Sequence, residues 1–227
     1  MPLSAVRADF DRIARLIADE PDRPDRYESF LLAQLPDTST KVLEIGSGAG
    51  RLARALAERG ATVTAIDASP EMIRVARRRT RADARIEFLC GDFLARPMEP
   101  ESYDGVVSVA TLHHLPVTPT LARMKTLVKP GGVLVIHDLR APAGKGDWLR
   151  SGFAAGLNGD AVWWLRNRLR AKPALSAAWR DHGAGERYLT MEQVRALCET
   201  TLPGAKSYWH PLWRYTVVWT KGRVTPT

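Results

Sequence analysis

The sequence has few cysteines and lacks the common metal-binding patterns. Only Cys90 and Cys198 occur among its 227 residues, which excludes a disulfide framework and suits a reducing, cytoplasmic location. There is no CxxC pair and no HExxH sequence, so we expect no metal site. Cys90 follows apolar strand residues, and we expect it to be a small buried side chain.

The sequence also lacks a long apolar run. No segment approaches the ~20 apolar residues that cross a bilayer, so no transmembrane segment is expected. The first eleven positions contain two aspartates and no apolar stretch, which fits neither a signal peptide nor a transit peptide. We therefore expect a cytoplasmic protein, either a monomer or a homodimer.

Positive charge exceeds negative charge, but the excess is local. The net charge of +8 comes from residues 74–85, with six Arg and one Asp, and from residues 139–180, with eight Lys or Arg and two Asp. Residues 1–40 are net acidic. A solvated helix face is the favoured interpretation of the first basic run, and an RNA or anionic lipid surface is the alternative.

Hydrophobic periodicity predicts an α/β fold. After two helices near residues 4–18 and 25–35, short apolar runs alternate with helical patterns as far as Asp138. Such βα units form a mostly parallel sheet with helices on both faces. The capping-box pair Thr190 and Gln193 predicts a further helix, and two β-rich runs then predict an antiparallel hairpin at the sheet edge. We expect one domain over 1–227, divided into N-terminal helices (1–38), a ligand-binding core (39–139), a helical insertion (140–189) and a closing helix and hairpin (190–221).

The insertion after the fifth strand is too long for a single loop. We expect helices near 147–157 and 160–170. It contains five large aromatic side chains: Trp148, Phe153, Trp163, Trp164 and Trp179. We expect it to cap the carboxyl ends of the strands and to select the substrate. The alternative is that these aromatic residues only pack the insertion onto the sheet.

The sequence VLEIGSGAG predicts a ligand-binding turn between a strand and a helix. Gly46 permits the tight turn, Gly48 lets the backbone approach a ligand, and Gly50 lets the helix pack closely. Asp67 ends the next strand, where a carboxylate can accept hydrogen bonds from ribose hydroxyls. The dinucleotide-binding pattern GxGxxG does not fit, because Arg51 stands where its third glycine would be.

The tighter GxGxG preceded by Glu44 resembles motif I of class I S-adenosylmethionine-dependent methyltransferases, which have a Rossmann-like, seven-stranded sheet. The resemblance covers residues 41–138: Asp67 matches the ribose-binding acid, Asp92 the adenine-contacting acid, and SVATLHHL and LVKPGGVLVI match strands four and five. It implies S-adenosylmethionine as cofactor and these cofactor-binding residues: Glu44, Gly46, Ser47, Gly48, Gly50, Asp67, Ala68, Asp92, Phe93 and Ala110.

The LHHL sequence is similar to that of the small-molecule branch, which includes quinone and polyketide methyltransferases. Thr111 replaces the acid of metal-dependent catechol-type enzymes, and no NPPY-like or PCQ-type motif is present. The resemblance therefore favours a small-molecule acceptor, with oxygen as the methylated atom. An RNA or protein acceptor and a non-catalytic cofactor-binding protein stay open as alternatives.

Histidine is the side chain best suited to remove a proton from a hydroxyl acceptor near neutral pH. The candidates for a catalytic role are His113, or its neighbour His114, in the LHHL sequence, and His137, at the carboxyl end of strand five. His137 and the following Asp138 stand where such sheets place ligands, so both are candidates for the substrate side. His182, Tyr188 and His210 are weaker candidates. A carboxylate or neutral amine acceptor would need no base.

Overall fold

A seven-stranded sheet forms the centre of the fold. The structure is a computed structural model that describes residues 2–22, 25–157, 162, 165 and 172–223. The strands are β1 Lys41–Ile45, β2 Thr62–Asp67, β3 Ile86–Cys90, β4 Tyr103–Val109, β5 Val128–Leu139, β6 Lys206–His210 and β7 Arg214–Thr220, in the order β3-β2-β1-β4-β5-β7-β6. The first five are parallel, and β7 is antiparallel to both β5 and β6. The predicted Rossmann-like α/β fold and its antiparallel C-terminal hairpin are confirmed. Cys90 was predicted to be buried, but it is exposed because β3 is an edge strand.

Eight α-helices surround the sheet in the described part of the chain. They are α1 Leu3–Ile17, α2 Glu28–Gln34, α3 Arg51–Glu58, α4 Pro70–Arg79, α5 Val117–Leu127, α6 Lys145–Leu157, α7 Pro173–Gly183 and α8 Met191–Thr201, with a 3-10 turn at Leu112–His114. The predicted helix near 147–157 is present as α6, whereas α7 was not predicted. The helix expected over 160–170 falls almost wholly outside the described residues, as do Trp163 and Trp164. Within the described ranges, no helix is long and apolar enough to cross a membrane.

Alternating strand residues bury the two faces of the sheet under different helices. On one face Leu43 and Leu134 pack with residues of α5 and α8, and on the other Val42 and Val135 pack with residues of α2 and α3. The period of two that places successive side chains on opposite faces explains this division. The helices on both faces are therefore held by separate hydrophobic clusters.

Local sequence signals fix where helices begin. Ser69 caps α4, because its hydroxyl accepts a hydrogen bond from the backbone N–H of Met72. The capping box of α8 is present as predicted, with Thr190 and Gln193 each accepting a hydrogen bond from the other's backbone. Such caps stabilise a helix by about 1 kcal/mol each.

The acidic N-terminal segment packs against the basic helix α4. Residues of α1, α4 and α7 share one hydrophobic cluster, and carboxylates pair with the arginines of the basic run as Arg74–Glu71, Arg78–Asp19, Arg79–Asp22 and Arg81–Asp83. The local charge is therefore matched within the chain, which favours the interpretation of this run as a solvated helix face.

Candidate functional site

A cavity of about 510 Å³ opens at the carboxyl ends of the parallel strands. The glycine-rich loop after β1 and the turns after β2 and β4 form its floor, and α1 and α7 form its walls. Apolar side chains of α1 face the interior, among them Val6, Phe10 and Ile17. The volume is in the range of small-molecule binding sites.

The glycines of the loop each meet a different constraint. Gly46 has φ +73°, and a Cβ there would lie 1.9 Å from the hydroxyl of Thr111. Gly48 has φ +51° and open space where a Cβ would stand, so the backbone itself faces the cavity. A Cβ at Gly50 would lie 2.9 Å from side chains of α4 and β3. Two glycines therefore serve close packing, and Gly48 exposes the backbone to a ligand.

Asp67 is held against the glycine loop at the end of β2. Its Oδ2 accepts from the Gly48 N–H at 2.7 Å and its Oδ1 from the Ser69 N–H at 2.8 Å. Burial raises the pKa of Asp67, and these two hydrogen bonds act against that shift. Each oxygen keeps acceptor capacity for a ligand hydroxyl. Helix α1 closes over this point, where Asp11 accepts a hydrogen bond from the Ser69 hydroxyl at 2.6 Å.

The remaining predicted cofactor residues divide into three groups. Ala68 and Ala110 line the main cavity, and Ala110 does so in a left-handed conformation with φ 48°. Glu44 and Ser47 line a second cavity of about 240 Å³, which shares Gly46 with the first. Asp92 and Phe93 line neither: Asp92 accepts a hydrogen bond from the Leu94 N–H, and Phe93 is buried in the core.

Glu44 and Ser47 carry buried side-chain oxygens without hydrogen-bond partners among the described residues, at Glu44 Oε2 and Ser47 Oγ. Burial, with the charge of Asp67 as a second cause, raises the pKa of Glu44 to about 8. Buried polar atoms are usually satisfied. These two oxygens are therefore available to a ligand in the smaller cavity.

His113 and Glu186 form the polar side of the main cavity, and the buried Asp138 supports His113 without lining the cavity. His113 Nδ1 lies 2.5 Å from Asp138 Oδ1, and the His113 backbone N–H donates to Asp138 Oδ2 at 3.0 Å. His113 Nε2 lies 3.4 Å from Glu186 Oε2. Burial lowers the pKa of His113, but the bonds to Asp138 and Glu186 outweigh burial and raise it to about 9.

Glu186 joins four side chains at this point. Besides His113, it contacts His114 at 3.1 Å and His182 at 2.7 Å, and it accepts a hydrogen bond from the Tyr188 hydroxyl. Burial raises the pKa of Glu186, but His113 and Tyr188 outweigh this and lower it to about 2. Burial and the neighbouring His113 lower the pKa of His114 to about 4. Near neutral pH the cluster therefore combines a cationic His113, a neutral His114 and an anionic Glu186.

The ligand atoms of His113, His114 and Glu186 all lie within 4.8 Å of one another, close enough to surround a metal ion. A protonated imidazole donates hydrogen bonds and does not coordinate a metal. In the metal-free cluster, the raised pKa of His113 favours its protonated form. The absence of a metal requirement stays a prediction.

His137 and Asp138, near the end of β5, point in opposite directions. Asp138 faces His113, whereas His137 is buried on the other face, with Nδ1 2.9 Å from the Thr216 hydroxyl and its ring 4.6 Å from that of Tyr27. His137 does not line the cavity. The sequence indicated the correct strand end, but the side-chain alternation of β5 brings Asp138, not His137, to the site.

Several cavity residues were missed or only loosely predicted from the sequence. Glu186 and the inner face of α1 were missed, and the available signal for Glu186 was its spacing of four residues from His182. Of the insertion aromatics, Trp179 lines the cavity, whereas Trp148 and Phe153 are exposed and lie outside it. The contribution of the insertion to the cavity therefore comes from α7 and the residues after it.

The glycine loop and its sheet match a known family. Residues 43–136 match the model of a methyltransferase domain. The chain is 34% identical over 185 residues to an uncharacterized methyltransferase of Mycobacterium tuberculosis, and the match covers 79% of this chain and 86% of that protein. The chain is a class I S-adenosylmethionine-dependent methyltransferase. The methyltransferase is also 34% identical over 138 residues to a ubiquinone biosynthesis O-methyltransferase of Xanthomonas campestris, covering 56% of each chain.

Solved structures show the same fold at low sequence identity. The methyltransferase of a Haloferax volcanii complex with the Trm112 methyltransferase activator superposes with a TM-score of 0.66 at 18% identity, covering 98% of this chain and 100% of that one. Phosphoethanolamine N-methyltransferase 2 of Haemonchus contortus, with S-adenosylhomocysteine bound, gives 0.64 at 19% identity, covering 88% of this chain and 43% of that one.

S-adenosylmethionine is the cofactor of the methyltransferase. The site fits this molecule: Gly48 leaves open space in the cavity wall, Asp67 presents acceptors for ribose hydroxyls, and the unpartnered oxygens of Glu44 and Ser47 adjoin the loop.

Proposed function

We propose that this methyltransferase transfers a methyl group from S-adenosylmethionine to an oxygen atom of a small molecule, with His113 as the base. The position of His113 is the observation that supports this proposal. Its imidazole shares one cavity with Gly48 and Asp67, and two carboxylates hold it there.

Bound S-adenosylmethionine supplies an electrophilic methyl group, and the transfer is a single displacement. The side chains of the cavity position the acceptor, which contributes about 7–11 kcal/mol to lowering such a barrier. Asp138 fixes His113 through Nδ1, and in the neutral form of His113, which grows as the pH approaches its pKa of about 9, Nε2 can receive the proton of the acceptor hydroxyl. Glu186 lies beside Nε2 and stabilises the imidazolium that results.

The cofactor is held, in this proposal, by Gly46, Gly48, Asp67, Ala68 and Ala110 in the main cavity. Glu44 and Ser47 contribute from the smaller one, and Gly50 acts through packing. Roles for Asp92 and Phe93 stay predictions. Similarity to the Xanthomonas O-methyltransferase supports oxygen as the methylated atom.

A macromolecular acceptor is the second candidate. It is supported by the fold shared with the Haloferax methyltransferase, which assembles with Trm112. Against it, four of the six arginines of residues 74–85 pair with carboxylates of this chain, which reduces the charge that this run offers to a nucleic acid. A small-molecule acceptor is therefore the better supported proposal.

The test begins with the purified protein, in which bound S-adenosylhomocysteine is measured by mass spectrometry. Methyl transfer is then screened over pooled metabolites and over total tRNA. With the acceptor found, His113→Ala should lower kcat by about 100-fold or more, the usual contribution of a general base. Its affinity for S-adenosylhomocysteine should not change.

His210→Ala is the matched control, since that imidazole bonds to Thr216 and does not line the cavity. It should keep kcat within about twofold. Full turnover by His113→Ala would contradict the role of the base, and methylation of tRNA alone would support the second candidate.

A further inference from the structure

Arg214 places a positive charge in the wall of the main cavity without a counter-ion. It is half-buried at the start of β7 and lines the cavity. Across the part of the chain that the structure describes, its guanidinium has no hydrogen-bond or ion-pair partner. The second arginine of the wall, Arg7, differs: it is more than half exposed and lies 3.9 Å from Asp11.

Arg214 lies at the strand edge where β5 and β7 reach the cavity. Its Cα pairs with that of Leu139, which also lines the cavity and directly follows Asp138. Tyr188 and His113 line the same cavity as Arg214. The Tyr188 ring is centred 5.2 Å from that of His113. Arg214 therefore shares one cavity with the side chains that would meet the acceptor.

The acids on this side are already engaged. Asp138 accepts hydrogen bonds from the His113 and Leu139 backbones besides contacting the His113 ring, and Glu186 is surrounded by imidazoles and the Tyr188 hydroxyl. A guanidinium in a mostly apolar wall is stable when an anion pairs with it, and its planar fork matches a carboxylate through two hydrogen bonds. An anionic ligand in the cavity can supply the missing partner.

We propose that Arg214 binds a carboxylate of the acceptor, so that the substrates are small organic acids. This inference rests on the proposed function and adds a substrate class to it. The carboxylate lies against Arg214 and directs the reacting oxygen toward His113, because both side chains line the same cavity.

The test uses pairs of probes that differ only in charge. The full-length protein, saturated with S-adenosylhomocysteine, is titrated calorimetrically with 4-hydroxybenzoate and 4-hydroxybenzamide, salicylate and salicylamide, and hexanoate and hexanamide. We expect at least one acid to bind about tenfold or more tightly than its amide, the discrimination typical of a charge-assisted hydrogen bond. Arg214→Met should remove this preference, and Arg214→Lys should keep part of it.

Arg7→Met is the matched control and should keep the preference. The affinity of the Arg214→Met protein for S-adenosylhomocysteine should equal that of the wild type. If no acid binds more tightly than its amide, the inference is overturned. It is also overturned if Arg214→Met weakens S-adenosylhomocysteine binding, because Arg214 would then hold the carboxylate of the cofactor. If either of these two results is found while His113→Ala loses turnover, the proposed function stands and only the substrate class is rejected.

Discussion

The contact between Glu186 and His113 leads to a quantitative prediction about titration. Glu186 Oε2 lies 3.4 Å from His113 Nε2, and both side chains are buried. An opposite charge at this distance shifts a pKa by about 1–3 units. Glu186→Gln removes the charge and keeps an oxygen that accepts from Tyr188. The pKa of His113, raised to about 9 in the native protein, should therefore fall to about 6–8.

The direction of the pH dependence of kcat/KM follows from the requirement that the neutral imidazole of His113 act as the base. In the native protein the neutral form of His113 grows as pH rises toward about 9, so kcat/KM should rise over this range. In Glu186→Gln the same rise should occur about 1–3 units lower. The primary assay is NMR titration of the His113 ring with S-adenosylhomocysteine bound, which needs no knowledge of the acceptor.

Asp181→Asn is the control for this experiment. Asp181 lies on α7 as an exposed partner of Arg12, outside the cavity, and its replacement should leave the His113 titration unchanged. A Glu186→Gln protein that binds S-adenosylhomocysteine normally but still titrates at about 9 would refute the assignment of the raised pKa to this carboxylate.

Three further predictions concern the cofactor, the metal and the insertion. Asp67→Ala should weaken S-adenosylhomocysteine binding at least about tenfold by calorimetry, because the ribose hydroxyls lose charged acceptors worth about 1.5–3 kcal/mol. Asp83→Ala is the control, because Asp83 is an exposed acid between α4 and β3, and this variant should bind S-adenosylhomocysteine normally. Excess EDTA should leave the methyl-transfer rate unchanged, and a loss restored by Mg²⁺ would contradict the absence of a metal requirement. Trp179→Ala should keep the melting temperature within a few degrees yet raise KM for the acceptor, since Trp179 lines the cavity and is about half exposed, whereas Trp148→Ala should leave KM unchanged; an equal effect of both variants would reject a role for the insertion in substrate choice.

The succession of strands and helices along the chain and the ligand-binding loop were predictable because both depend on local signals. Apolar runs separated by helical patterns define the βα units, and the three glycines of the loop follow β1 directly. Positive φ angles and close contacts require glycine at these positions, so a short stretch of sequence contains the information. The same applies to the capping box that begins α8.

The polar side of the cavity was harder to predict because it joins residues distant in sequence. His113 contacts Asp138, which lies near the end of β5, and Glu186, which follows α7. These contacts form only when three distant segments of the chain have packed together. The choice between His137 and Asp138 depends on which face of β5 each side chain takes, and a one-residue change of register would exchange them. In a strand that is buried on both faces, hydrophobic pattern does not identify the face.

The left-handed conformation of Ala110 has a consequence for how this protein evolves. A residue with a Cβ costs about 1–2 kcal/mol in this region of backbone space, a cost that glycine avoids. Replacement by glycine is a single step that would relieve this strain, yet the chain retains a methyl group where the turn after β4 meets the cavity. A mutation from alanine to glycine here would exchange the shape of the cavity wall for backbone freedom, so stability and activity would trade off at one residue.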